Sequence, residues 1–245
     1  MSTAATVLDA HAKLTLSLRV TGVRVDGYHL IDAEMVSLAL HDRIRIEPGG
    51  AGLTITGPHA DGVPTDSSNL VARALVLCGA EAAVHIEKNI PNGGGLGGGS
   101  ADAAAVLRWA GWTDLERAGE LGADIPFCLV GGRAQVTGIG EQVSPLPFVE
   151  RAITLVIPPL HCSTPAVYRM WDTMGGPTGP AGNDLEPAAL AVVPALATWR
   201  HRIEQHSGVT PRLAGSGATW FLEGEHPDLQ AKMPEATVVV THTVA

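Results

Sequence analysis

Aromatic residues are scarce: two tyrosines, three phenylalanines and five tryptophans make up 4% of the 245 residues. So few rings exclude a stacking platform of the kind that binds single-stranded nucleic acid. Cationic side chains are also few, Lys+Arg 16 against Asp+Glu 25, for a formal net charge of −9. Broad binding to a phosphate backbone needs the opposite surface. The three cysteines, Cys78, Cys128 and Cys162, are odd in number and scattered. They fit neither a disulfide framework nor paired metal spacing, and read as buried or incidental thiols. No apolar run approaches the roughly 20 residues that span a bilayer. The opening residues lack the charged-then-apolar pattern of a secretory leader. These absences point to a soluble, cytoplasmic protein.

What the chain has is apolar mass and turn formers: 45% hydrophobic against 17% charged residues, with 29 glycines and 17 prolines in no fixed period. Such a composition buries a core and excludes disorder and fibrous repeats. At about 150 residues per domain, the length suggests one large domain or two small ones. Alternation predicts a strand over 12–20, extended chain over 33–40 and a strand over 42–47. Gly49-Gly50 break it, and 52–56 reads as a hairpin return. A helix is expected over 67–83, capped by Ser67 or Ser68, then a strand over 83–88. Helices follow over 101–111 and 115–121, with a strand over 133–137. An apolar β-run over 152–157 stops at Pro158-Pro159 and suggests entry to a second lobe. There, helices are expected over 165–172 and 187–205, and strands over 219–222 and 236–241. The fold class is α+β.

Six of the seven residues from Gly93 to Gly99 are glycine, between the strand ending at Lys88 and the helix opening at Ser100. Glycine admits positive φ and lets backbone approach a ligand closely. A helix N-terminus offers unpaired N–H groups and about half a positive charge to an anion. With Ser100 placed to cap the helix or meet a phosphate, the run reads as a phosphate cradle. It is no Walker A loop, because no Lys-Ser/Thr follows. Nor is it a dinucleotide fingerprint, because no second βαβ unit with a ribose-binding acid follows. The plain alternative is a flexible linker, although linkers rarely join a strand directly to a strong helix.

Asp124, in Gly-Ala-Asp-Ile-Pro, occupies a helix-to-strand corner where a carboxylate can meet a hydroxyl. Lys13 lies mid-strand among apolar neighbours, where a lysine needs a partner or a pocket. Near a polyphosphate the two make a phosphoryl-transfer set: the acid orients or deprotonates the hydroxyl, and the lysine offsets charge. Taken singly, Asp124 reads equally as a cap before proline, and Lys13 as an edge-strand lysine snorkelling outward.

An ordered set of motifs resembles the GHMP kinases along nearly the whole chain. It comprises Ala12-Lys13-Leu14, Asp26-Gly27-Tyr28-His29, Ser68-Asn69-Leu70, residues 88–104, 121–127 and 138–141. It continues with Ser163-Thr164, Val167-Tyr168, Asn183-Asp184-Leu185-Glu186 and Gly215-Ser216-Gly217. The resemblance implies a two-lobed fold with the active site in the cleft. Residues 1–150 would form an ATP-binding lobe of the ribosomal-protein-S5-domain-2-like type, and 151–245 an α/β sandwich lobe. It implies Asp124 as catalytic base and Lys13 as its partner at the transferred phosphoryl. The ATP site implied comprises Asn69, Lys88, Pro91, Gly93, Gly94, Gly95, Leu96, Gly97, Gly98, Gly99, Ser100 and Ser216. Thr15, Tyr28, His29 and Tyr168 would hold the substrate, the aromatics stacking on a cytidine base and His29 reading its edge. The acceptor implied is the 2-hydroxyl of a methylerythritol linked to cytidine diphosphate, in the non-mevalonate isoprenoid pathway. Mg2+ would accompany the ATP, held largely by phosphate oxygens and water. Neither nucleic acid nor membrane is implied, and the protein would be a monomer or homodimer.

Thr15 stands where this family usually has asparagine, and Ala101 where a second serine follows the glycine loop. The stretch between the loop helix and Gly122 is also short. These departures keep two further readings open: a GHMP kinase for a sugar or mevalonate-type alcohol, and a catalytically silent nucleotide-binding homologue. The Asp26–His29 turn and Tyr168 oppose the first, and retention of Lys13 and Asp124 the second.

Overall fold

The computed structural model describes residues 4–245. Alternation along the first fifty residues produces one long antiparallel hairpin, β1 (Thr6–Val23) on β2 (His29–Pro48), turning at Asp26 and Gly27. The stretches expected separately at 33–40 and 42–47 are one strand. The segment expected as a hairpin return, β3 (Leu53–Thr56), instead runs parallel to β4 (Ala82–Glu87). β4 occupies the edge of β2, Ile44 opposite Ile86, so β3 takes the outer place. Helix α1 (Leu70–Cys78) makes the crossover that a parallel pair requires. It is shorter than expected: Asn69, not Ser67 or Ser68, caps it, and Gly79 ends it at φ 63°. Ser68 instead donates its N–H and hydroxyl to Asp66.

Helix α2 (Gly98–Trp109) follows the glycine run and is buried all round from Ala101 to Leu107. Its alanines let it lie close against the hairpin. Then come α3 (Leu115–Leu121), α4 (Ile125–Val130), β5 (Arg133–Gly138) along β2, and β6 (Gln142–Pro145). The second half holds β7 (Ala152–Ile157), α5 (Thr164–Thr173), α6 (Glu186–Val192) and α7 (Ala195–Ser207). The single helix expected over 187–205 is divided at Pro194, which lacks the N–H to continue α6. Strands β8 (Arg212–Leu213) and β9 (Trp220–Glu223), helix α8 (Leu229–Lys232) and strand β10 (Thr237–Val244) complete the chain.

Among the described residues all ten strands join in one sheet. β10 makes the join, pairing with β7 over Thr237–His242 and with β2 at Thr243 and Val244. Leu14, Leu38 and Leu96 pack with Leu155 and Phe221 in one buried cluster, so the two halves share a core at their junction.

Candidate active site

The site begins with a register break. β1 pairs with β2 to His11↔His41 and resumes at Lys13↔Ser37, so one residue, Ala12, faces three and β2 bulges. There the Lys13 N–H leaves the ladder and donates to Leu96 O of the glycine run at 2.9 Å. Leu96 itself is buried in the junction core. The run is therefore anchored at its centre and is not a linker. Two positions demand glycine. Gly95 (φ 72°) and Gly97 (φ 69°) are left-handed, and a Cβ there would lie 2.9 Å from Gly217 O and 2.7 Å from Lys13 Cγ.

The same break turns Lys13 inward. Its side chain is 8% exposed, and Nζ lies 3.2 Å from Asp124 Oδ2 and 3.4 Å from Thr15 Oγ1. Lys13 does not snorkel. Asp124 sits at the N-cap position of α4 but makes no capping bond; its carboxylate, 33% exposed, turns to the lysine. Lys13, Thr15, Asp124, Gly95, Ser100 and Ser216 all line one cleft of about 560 Å³. Ser100 is not the cap of α2. Gly97 holds that position without a side-chain bond, and Ser100 lies in the first turn. The Ser216 and Thr164 hydroxyls are 2.8 Å apart. The Gly215 backbone beside them is held by Asn183, whose side-chain N–H groups donate to Leu213 O and Gly215 O.

The cleft's other end is aromatic. His29 and Tyr168 stack with centroids 4.6 Å apart at 34°, and Trp171 meets His29 edge-on at 5.7 Å. His29 Nε2 lies 2.8 Å from Asp172 Oδ1. A carboxylate only accepts, so Nε2–H donates and Nδ1 is left facing elsewhere. Burial, helped by the charge of Asp124, pushes the Tyr168 phenol up to about 12. Tyr28 stands at the rim, 59% exposed, with the Arg24 guanidinium 6.0 Å from its ring.

Of the twelve residues expected at the nucleotide, Gly95, Ser100 and Ser216 line this cleft, and Asn69, Pro91 and Lys88 are among the nine that do not. Asn69 is spent on α1, accepting from Val71 N and donating to Pro64 O. Pro91 is buried beside the loop. Lys88 is 2% exposed and its Nζ is held by Asp42 and Asp102. None of the three lines the cleft. Ala101 also faces away, into a small cavity with Asp9 and His11, so a hydroxyl there would not reach the cleft. Sequence reasoning missed Asp172 and Trp171 and gave Thr164 no role. The signal was present: Thr164, Tyr168 and Asp172 recur at four-residue spacing, one face of α5.

Residues 68–132 match the family model described as GHMP kinases N terminal domain. The 4-diphosphocytidyl-2-C-methyl-D-erythritol kinase of Paracoccus denitrificans (strain Pd 1222) is 42% identical, over 86% of this chain and 84% of its own. That of Dinoroseobacter shibae is 38% identical over 95% and 90%. A crystal structure of 4-(cytidine 5'-diphospho)-2C-methyl-D-erythritol kinase superposes with a TM-score of 0.79 at 31% identity, over 98% of this chain and 100% of that one. A mevalonate kinase from L. major, at 16% identity and TM-score 0.65, shares the fold. With these relatives and this cleft, the chain belongs to the GHMP kinases, in the 4-diphosphocytidyl-2-C-methyl-D-erythritol kinase family.

Proposed function

We propose that the chain transfers the γ-phosphoryl of ATP to the 2-hydroxyl of 4-diphosphocytidyl-2-C-methyl-D-erythritol, in the non-mevalonate pathway to isoprenoid precursors. One observation carries the reading: the Lys13–Asp124 pair and the His29–Tyr168 stack open on the same cleft. A substrate with a pyrimidine at one end and an alcohol at the other suits that arrangement.

Asp124 takes the hydroxyl proton as its oxygen attacks the γ-phosphorus; the β–γ bridge breaks and ADP leaves with the bonding pair. Lys13, already against Asp124, offsets charge on the moving phosphoryl. The backbone N–H groups of Gly93 to Ser100, at the start of α2, receive the ATP phosphates. Ser216 and Thr164 close that side from residues 151–245, against a nucleotide lobe of residues 1–150. His29, its Nε2–H given to Asp172, offers Nδ1 to the exocyclic amine of cytosine. Tyr168 and Tyr28 supply ring faces, and Thr15 a hydroxyl beside the lysine. Asn69 acts through the backbone it caps and Lys88 through the two carboxylates it holds, since both side chains are engaged.

No cluster of three or more His, Cys, Asp or Glu side chains suited to a metal occurs among the described residues. Mg2+ carried in by ATP keeps water and phosphate ligands and needs few from protein. Ser100 and Asp124 are the donors on the cleft wall that would meet it. When bound, Mg2+ neutralises phosphate charge. No helix among the described residues is long and apolar enough to cross a membrane. The three cysteines are free, as suits a reducing cytoplasm.

The test is ADP release with the cytidyl substrate beside galactose, homoserine and mevalonate. Turnover is expected with the first alone; turnover of another alcohol in its place would sink the reading. Asp124→Asn should lower kcat by about a thousandfold.

A further inference from the structure

Lys88 is one of three lysines in the chain, and phosphoryl transfer does not use its ammonium. With Asp42 and Asp102 it forms a trio exposed by 2%, 0% and 3%. Burying charges costs several kcal/mol per ion, so stability alone is a poor account of such a group. Its connections are more informative. Asp42, on β2, accepts the backbone N–H groups of Asn89 at 2.5 Å and Ile90 at 2.8 Å through Oδ1. Its Oδ2 meets Lys88 Nζ, which also donates to Asp102 Oδ2 of α2 at 2.8 Å. The chain entering the glycine run is thus tied to Asp42, and the helix leaving it is tied to the same lysine. Nζ fills the space beside Gly98, where a Cβ would lie 3.1 Å away.

We propose that Asp42, Lys88 and Asp102 are positioning residues, a buried clamp across the neck of the glycine loop that sets the spacing of its N–H groups for ATP. The proposal rests on the assignment of that loop to the ATP phosphates. The clamp holds two carboxylates against one ammonium, and Asp102 Oδ1 has no hydrogen-bond partner in the structure. Burial, opposed by Lys88 and reinforced by the charge of Asp42, pushes the Asp102 carboxyl up to about 7. The groups facing Asp102 are Lys88 after β4, Asp42 on β2 and the Cys128 thiol of α4, which burial pushes up to about 12 and keeps neutral.

The test is steady-state kinetics of the full chain, with folding followed by circular dichroism. Asp42→Asn and Lys88→Met should each raise the KM for ATP about tenfold while the KM for the cytidyl substrate stays within about twofold. Asp102→Asn keeps an acceptor for Lys88 and Asp102→Leu removes it, so Asp102→Leu should raise the KM for ATP about tenfold and Asp102→Asn less than threefold. Gly95→Ala serves as a control on the loop. If Gly95→Ala leaves the KM for ATP unchanged, the ATP assignment fails. If it raises that KM while the clamp variants do not, the clamp alone fails. A parallel rise in both KM values also overturns the clamp, because it marks a merely structural role. Should Lys88→Met or Asp42→Asn not fold, the two Asp102 variants decide, and an equal KM for ATP in Asp102→Leu and Asp102→Asn overturns the proposal.

Discussion

Asp172 acts at the residue scale by fixing a tautomer. Its carboxylate takes the His29 Nε2 proton at 2.8 Å, which leaves one ring nitrogen for the substrate. Asp172→Ala should raise the KM for the cytidyl substrate about tenfold and leave the KM for ATP unaltered, as initial-rate kinetics on each substrate would show. Ala101→Ser makes the complementary case. The position faces a cavity with Asp9 and His11, so both KM values should stay within about twofold of the parent. The sequence made Tyr168 and His29 visible as motif residues and left Asp172 unnoticed. Nothing in a lone aspartate announces a histidine that lies 143 positions away.

At the scale of elements, the glycine run is held by its one large residue. Leu96 is 1% exposed in the junction core, and its carbonyl receives the Lys13 N–H. Leu96→Ala should cost about 2–5 kcal/mol in urea unfolding. It should also raise the KM for ATP, because the loop then samples conformations that do not present its N–H groups. The strand before the run and the helix after it were legible from alternation and from alanine content. The helix ends were not. Asn69 displaced the two serines as cap of α1, and Gly97 displaced Ser100 at α2, because tertiary position decides which backbone N–H groups need a partner.

For the whole molecule, β10 governs cooperativity. Its last residues pair with β2 and the rest with β7, and Leu14, Leu38, Leu155 and Phe221 pack as one cluster across the junction. Thermal unfolding followed by far-UV and near-UV circular dichroism should therefore give one coincident transition. Two separated transitions would show halves that fold apart. The buried trio adds a pH dependence. Asp102 holds its proton in the native state to about pH 7 and loses it near 4 when unfolded. Its stabilising contribution is thus present at low pH and lost as pH rises through 7. Urea unfolding should show a loss of about 1 kcal/mol between pH 6 and 8, absent in Asp102→Asn.

The six glycines in seven residues marked a phosphate cradle without any coordinates, because left-handed backbone is a local property, and the order of motifs around them gave the reaction type through resemblance to the GHMP kinases. The α+β class followed from alternation and helical spacing, which are local too. Only the tertiary structure decided which charges work in the cleft. Lys13 and Lys88 look alike in sequence, each a lone lysine at a strand. One is turned by a bulge toward Asp124, and the other is buried between Asp42 and Asp102. That difference depends on partners between 14 and 111 positions distant, and no local pattern encodes where a chain brings them together.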